Sequence, residues 1–411
     1  TTIGATTPAA GKFTTLESTG TGSFGTTSAQ YIQAVGNATE PQILAVGSGT
    51  NIPLVLQPKG TGAIQAQATT STTAGGNVRG ANAVDFQTFT RGAASQVASG
   101  LASSILGGAR NTSNSIASVV VCGTDNTAGA NSSFVGAGTT NTANGTSNAI
   151  VSGLNNSTSG TFAFIGAGQA NTAAGYHNFI GGGQTNSGTA SAAVTTQSGT
   201  MNSTTAVTLS GSNANIKVGQ LITGTSIVTA SGTTPFTYVA AISGTSLTLS
   251  QAASGSSTST LSFFTPHGVV VGGGNNQATG SYSFIGGGGD GGTAANRNVA
   301  SSAWSAVVGG AKNIASGTSS FVGGGGTDGI GNYFSNTASG TLSAIVGGWN
   351  NTANASFATV VGGQSNQSTG TYSFIGGGQT NLSNATASTI SGGSFGIARS
   401  ITGNQIFSAN N

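Results

Sequence analysis

The chain has 411 residues, of which 71 are Gly, only 9 are Lys or Arg and only 6 are Asp or Glu, so its formal net charge is +3. Intrinsic disorder is excluded because it needs low hydrophobicity with a high net charge, whereas 36% of these residues are hydrophobic. Collagen is excluded by the small number of prolines (6), and the 9 scattered cations build no basic patch for nucleic acid.

The part of the chain before residue 100 lacks an obvious repeat. Residues 1 to 80 contain short alternating stretches broken by Gly and Pro, and they predict extended β segments of a fibrous shaft or connector. Residues 81 to 99 are predicted as a linker, with a short helix as an alternative.

From residue 100 the sequence repeats in fourteen units at a period of 15, as the step from Ile105 to Val120 illustrates. Each unit carries an aliphatic residue at one fixed position and a Gly three positions later. Insertions lengthen the interval by 75, 7 and 8 positions after the units of Ile180, Ile285 and Val322. The aliphatic positions are Ile105, Val120, Val135, Ile150, Ile165, Ile180, Val270, Ile285, Val307, Val322, Ile345, Val360, Ile375 and Ile390.

Two columns of turn residues accompany the aliphatic column. Gly and Asn adopt left-handed backbone conformations at low cost, so their regular recurrence marks corners, and the apolar pair between them marks a strand. Stacking this strand on its copies predicts an all-β chain with a parallel β-solenoid, or β-roll, of about 14 coils. The Asn column is predicted to cap turns as a hydrogen-bonded ladder. It comprises Asn111, Asn126, Asn141, Asn156, Asn171, Asn186, Asn276, Asn313, Asn351, Asn366 and Asn381.

A Phe column immediately precedes the aliphatic column in six units. Neighbouring strand residues point to opposite faces, so Phe points outward if the aliphatic residue fills the coil. An outward Phe stripe is too large an apolar surface to leave in water, which predicts a cyclic homo-oligomer. The alternative is a wider monomeric solenoid that buries both faces. The candidate interface residues are Phe134, Phe164, Phe179, Phe284, Phe321 and Phe374.

The domain boundaries follow from these patterns. Coils 1 to 6 occupy residues 100–188 and coils 7 to 14 occupy residues 265–396, with a C-terminal connector at 397–411. Between them, residues 189–264 alternate apolar and polar residues with Gly or Ser turns, which predicts a small inserted antiparallel β module.

Two parts of the sequence resemble known proteins. IGATTPAAGKFTTLE and PLVLQPKGTGAIQ resemble segments of bacteriophage tail fibre proteins. The unit NxxxGxxSFIGGGxxN is similar to the head repeat of trimeric autotransporter adhesins, a left-handed parallel β-roll, and to Gly-rich repeats of phage fibres. The adhesin period is usually nearer 14, which favours the phage interpretation. The resemblance implies a homotrimeric virion fibre or spike, outside the cell, that binds other tail proteins and a host-surface polysaccharide or protein receptor.

Few residues are available for catalysis or metal binding. The single Cys122 excludes a disulfide framework within the chain and a cysteine-based zinc site, and no metal or cofactor is predicted. Neither His177 nor His267 has a spacing that suggests a serine triad. No run approaches the roughly 18 apolar residues of a membrane helix, so no membrane insertion is predicted.

The two short insertions hold the candidate contact residues. Asp290 and Asp328 open them, and a separation of about 10 Å would be near the upper limit for an inverting glycosidase pair. Asp in such Gly-rich loops is more typical of a turn. Exposed aromatic residues on the same loops suit stacking on sugar rings, although either Trp could instead cap the core or the interface. The glycan-contact candidates are Asp290, Arg297, Trp304, Asp328, Tyr333, Phe334 and Trp349.

These observations together predict a non-enzymatic segment of a phage tail fibre or spike. Three copies of each weak contact would strengthen attachment through effective concentration. A bacterial trimeric surface adhesin is the alternative within the same class. A capsular polysaccharide depolymerase is the alternative from another class.

Overall fold

The computed structural model describes residues 56–188, 195–216, 218, 220–228, 237–264, 267–290, 292–327, 332–399 and 402–406. The predicted all-β parallel solenoid is confirmed. Its first sheet has 17 short parallel strands, each paired with the next one along the chain. They are Ile64–Gln65, Val84–Asp85, Ser104–Ile105, Val119–Val120, Phe134–Val135, Ala149–Ile150, Phe164–Ile165, Phe179–Ile180, Val269–Val270, Phe284–Ile285, Ala306–Val307, Phe321–Val322, Ala344–Ile345, Thr359–Val360, Phe374–Ile375, Thr389–Ile390 and Gln405–Ile406.

A second parallel sheet forms the other side of the coils. Its 5 strands before the β module and 8 strands after it are joined through a bridge at Ser187. The strands are Thr112–Ser113, Thr127–Ala128, Thr142–Ala143, Ser157–Thr158, Thr172–Ala173, Gln277–Ala278, Val299–Ala300, Ile314–Ala315, Thr337–Ala338, Thr352–Ala353, Gln367–Ser368, Leu382–Ser383 and Ile397–Ala398.

The solenoid core is thin. The predicted aliphatic column is fully buried, and it meets mainly Ala side chains from the second sheet, as Ile150 and Ala143 illustrate. Each coil therefore contributes one large and one small apolar residue to this core. Close stacking also explains the Gly column: at Gly138 φ is +95°, and an added Cβ would collide with the carbonyl oxygen of Gly153.

The insertions leave the stack without breaking it. Ile180 is in register with Val270, Ile285 with Val307, and Val322 with Ile345. The two short insertions lie between the aliphatic position and the Asn position of their units. Asn298 and Asn336 therefore take the ladder positions in these two coils. The predicted ladder therefore lacks these two members, because fixed spacing looked for them 7 and 8 positions too early.

The solenoid also extends beyond the predicted limits of residues 100 and 396. Strands Ile64–Gln65 and Val84–Asp85 belong to the first sheet, so residues 81–99 are part of the coils rather than a linker. Val84 is in register with Ile64 on one side and with Ser104 on the other, and this longer interval hides both coils from a search at period 15. Gln405–Ile406 adds a strand at the other end. Most of the predicted shaft, residues 1–55, lies outside the described residues.

The inserted segment forms an antiparallel sheet, as predicted. Its 6 strands are ordered Leu221–Thr223, Ser256–Phe264, Thr195–Asn202, Ala206–Leu209, Ser246–Leu249 and Val239–Ser243. This β module has a hydrophobic core of its own around Leu247, Leu261 and Phe263. The helical content of the described residues is a single 3₁₀ turn at Ala294–Asn296, and none of these residues forms a helix able to span a membrane.

Candidate functional site

The Asn ladder is a hydrogen-bonded spine inside one corner of the solenoid, interrupted after Asn313, whose Oδ1 has no hydrogen-bond partner. At Asn156, Oδ1 accepts a hydrogen bond from the backbone N–H of Asn171 at 3.0 Å, while Nδ2 donates to the carbonyl oxygens of Ser152 and Gly168 at 3.2 and 2.9 Å. The same pattern recurs along the column, and Gln87 Oε1 begins it by accepting from the N–H of Asn111. These side chains are buried, so their role is to satisfy backbone groups at the corner.

The six Phe side chains of the predicted stripe point outward. Phe179 is 40% exposed, and its ring stacks on that of Phe164 with centroids 5.3 Å apart. Each Phe ring lies over a Gly two positions later: a Cβ at Gly136 would be 3.3 Å from the Phe134 ring. The eight units without Phe carry no Gly there. They carry Leu106, Val121, Val151, Val271, Val308, Val346, Val361 and Ser391.

The two outward positions therefore compensate for each other in volume. In the units with Phe before the buried aliphatic residue, the residue after it is Gly. In the other units the residue before it is smaller than Phe, and the residue after it is aliphatic in all units but the last. We call this surface of the first sheet the apolar face. The Phe column alone does not reveal the apolar face, because the aliphatic residues that complete this face stand two positions after the Phe column. The result is an even apolar strip rather than isolated Phe residues.

An aromatic column runs along the corner that precedes each first-sheet strand. Phe162, His177, His267, Tyr282 and Trp304 stack in five successive coils, with centroid separations of 5.3, 4.7, 4.5 and 6.1 Å. All five have positive φ, between 54° and 64°. The sequence does not show this column, since insertions separate His177 from His267 and Tyr282 from Trp304 by more than one period.

The β module packs beside this aromatic column. The ring of Phe264 meets Tyr176 edge to face at 5.9 Å, and Tyr238 is near enough to Tyr282 to raise the pKa of Tyr282, although burial is the larger cause. A cleft of about 320 Å³ remains between the module and the coils. Ile216, Val218 and Ile242 line its module side, and Ser302, Ala303, Trp304 and Thr318 line its solenoid side.

Burial controls the charge of the two histidines in the column. It lowers the pKa of His177, and burial together with the nearby His177 lowers the pKa of His267 to about 4. Both rings are therefore neutral at pH 7, and two stacked imidazoles can lie 4.7 Å apart without repulsion. This neutral pair lies at the point where the β module leaves and rejoins the solenoid.

Acidification is expected to destabilise this part of the chain. As the pH falls from 6.5 to 4, His267 binds a proton in the unfolded state but stays largely unprotonated in the folded state. The free energy of unfolding therefore decreases. The decrease should be roughly 1–2 kcal/mol, because partial exposure screens the effect. Thermal unfolding between pH 7.5 and 4 measures it. His267→Phe, which keeps a ring as at Phe162, should flatten the dependence, and an unchanged slope would exclude His267 as its source.

The structure places the two tryptophans of the predicted glycan-contact set at different corners of the coil. Trp304 belongs to the aromatic column, whereas Trp349 lies at the opposite corner, between Ala344–Ile345 and Thr352–Ala353. There its ring packs on Phe334 at 4.8 Å. Tyr333 is also at this second cluster, where its carbonyl oxygen accepts a hydrogen bond from Lys312 Nζ. Trp304 and Trp349 therefore flank different strands of the coil, and a glycan-contact role for these residues stays a prediction.

Of the two acidic candidates, the structure describes Asp290. Asp290 accepts hydrogen bonds from Asn296 Nδ2 at 3.2 Å and from the Gly292 N–H at 2.8 Å, which lower its pKa. It thus organises the turn that contains the 3₁₀ segment, where Arg297 Nε donates to the Ala294 carbonyl oxygen. Asp328 lies outside the described residues. Within the described ranges, no three His, Cys, Asp or Glu side chains are grouped so that they could hold a metal ion.

Comparison with known proteins gives no assignment for this arrangement. The sequence matches no protein-family description, and no curated protein is significantly similar to it. The aromatic column with its cleft and the apolar face are therefore interpreted from their own geometry and chemistry.

Proposed function

We propose that this chain is a non-enzymatic segment of a phage tail fibre or spike, assembled as an extracellular homotrimeric rod that supports attachment to host-surface glycans. The apolar face carries the assembly part of this proposal. The phage context and the number of chains rest on the resemblance of the N-terminal segments and of the repeat unit.

The size of the apolar face favours assembly over a free monomer. Fourteen first-sheet strands, from Ser104–Ile105 to Thr389–Ile390, contribute to it. At about 4.8 Å per strand and about 10 Å width, the strip covers roughly 650 Å². Monomers rarely expose an apolar patch of more than a few hundred Å², and a standard interface takes about 800 Å² from each partner. A second copy fits this surface because every copy presents the same even strip along its whole length.

The native mass tests the assembly. Light scattering on the purified chain is expected to give three times the chain mass of 39.3 kDa. The double variant Phe164→Ser/Phe179→Ser removes two stacked rings from the apolar face and should shift the mass towards a single chain at low concentration. Phe395→Ser is the matched control. Phe395 is 68% exposed and lies outside the apolar face, at the corner of the coil between a first-sheet strand and the following second-sheet strand. A wild-type mass of one chain would contradict the proposed trimer.

Attachment itself needs a separate measurement. Binding of the fluorescently labelled chain to intact host cells should be lost after enzymatic removal of surface polysaccharide. Release of oligosaccharide from that polysaccharide by the chain would instead support a depolymerase.

A further inference from the structure

Trp304 ends the aromatic column in a way that leaves room for another ring. The indole is stacked on Tyr282 at an interplanar angle of 5°. In the next coil the equivalent position holds Ser319, which has no ring. The indole remains 47% exposed although a hydrophobic β module lies beside it. The column therefore stops at an aromatic surface that no ring of the next coil covers.

The cleft beside Trp304 combines hydroxyl groups on one side with aliphatic groups on the other. Its solenoid side offers the hydroxyl groups of Ser302 and Thr318, whose oxygens lie 3.4 Å apart, too far for a strong mutual hydrogen bond. Its module side offers the aliphatic groups of Ile216 and Ile242. The described residues that line it carry no charged side chain. Its volume of about 320 Å³ is at the lower end for ligand sites, which suits one ring rather than a long chain.

We propose that this cleft binds a single hexopyranose unit, with the C–H face of the sugar stacked on the Trp304 indole. Ser302 and Thr318 exchange hydrogen bonds with the sugar hydroxyls, and the aliphatic residues of the β module exclude water from the other side. Only the source of the sugar, a host-surface glycan, rests on the proposed function.

The expected affinity is weak for one site. A monosaccharide of about 12 heavy atoms at roughly −0.3 kcal/mol per atom binds with a millimolar Kd. In an oligomer several such sites would act on one surface, and the affinity would rise by effective concentration. The inserted β module then has a defined role, since it supplies one wall of every site.

The two tryptophans allow a direct test. The chain contains only Trp304 and Trp349, so the variant Trp349→Phe reports on Trp304 alone. We would titrate it with the methyl α-glycosides of glucose, galactose, mannose and N-acetylglucosamine, following tryptophan fluorescence and saturation transfer to the sugar protons. At least one glycoside is expected to change the fluorescence with a millimolar Kd and to receive saturation on one ring face.

Further variants locate the binding. Trp304→Ala should weaken binding by at least about tenfold, and Thr318→Val, which keeps the shape but removes a hydroxyl, by about threefold to tenfold. Circular dichroism checks folding, and Trp304→Phe retains a ring if the alanine variant does not fold. Absence of binding by all four glycosides, binding that Trp304→Ala leaves unchanged, or binding of adenosine alone would overturn the proposal. Because the cleft lies within one chain, sugar binding and the native mass can fail independently.

Discussion

Replacing Asn156 by Ala is expected to lower the free energy of unfolding by about 3–5 kcal/mol. The side chain makes five hydrogen bonds, which disappear together: Nδ2 donates to the carbonyl oxygens of Ser152 and Gly168 and to Asn141 Oδ1, and Oδ1 accepts from the N–H and from Nδ2 of Asn171. The Ser152 carbonyl oxygen and the Asn171 N–H lose these partners, whereas the Gly168 carbonyl oxygen still accepts from the backbone N–H of Leu154. An unsatisfied buried polar group costs about 1–3 kcal/mol, and the tightly stacked corner leaves no access for water. Chemical unfolding measures the total loss, and hydrogen exchange of the adjacent coils shows whether it is local.

The neighbouring Asn155 provides a matched control. It is exposed, with φ at +55°, and Ala170 holds the same position in the next coil with φ at +54°. Asn155→Ala should therefore cost less than about 1 kcal/mol. Equal losses for the two variants would show that the ladder does not contribute to stability as a hydrogen-bonded spine.

Replacing Asp85 by Ala should have an effect of similar size at the N-terminal end of the solenoid. Asp85 occupies an inward position of the first sheet, in register with Ile105, and its side chain is completely buried. Its Oδ2 lies 2.9 Å from Arg79 Nε and 3.6 Å from Arg91 Nη2. Removing one partner of a buried ion pair leaves an uncompensated charge, which costs about 3–5 kcal/mol. Here two arginines would lose their common counter-charge.

The exposed ion pair of the same chain serves as the comparison. Arg110 Nη2 and Asp125 Oδ2 are 2.6 Å apart, but about a third of each side chain is accessible to solvent. Asp125→Ala should therefore change stability much less than Asp85→Ala. Hydrogen exchange should increase at residues 64–111 in the Asp85 variant and stay unchanged in the β module. Similar unfolding curves for the two variants would contradict the assigned role of the buried cluster.

The candidate site was only partly visible in the sequence. Trp304 was selected because it is an aromatic residue near a loop, but the residues that complete its cleft belong to the β module and to the following coil. Arg79 looked like an isolated charge in the predicted shaft, and Asp85 and Arg91 looked like isolated charges in the predicted linker, since their coils are longer than the regular period. Asn298 and Asn336 escaped notice for the related reason that an insertion moves a residue along the sequence without moving it in space.

The sequence by itself determined the solenoid, its period, the inward aliphatic column, the outward Phe column and most of the Asn ladder. This was possible because every coil has the same neighbours above and below, so each position meets the same requirement once per period.

The tertiary structure decided the aromatic column, the cleft beside Trp304 and the buried cluster at Asp85. These features join residues whose separation along the chain follows no period, such as His177 and His267, or Ile216 and Trp304. Where a long insertion returns, and which side of the solenoid it covers, depends on packing between unlike surfaces. A repeat pattern carries no information about that contact.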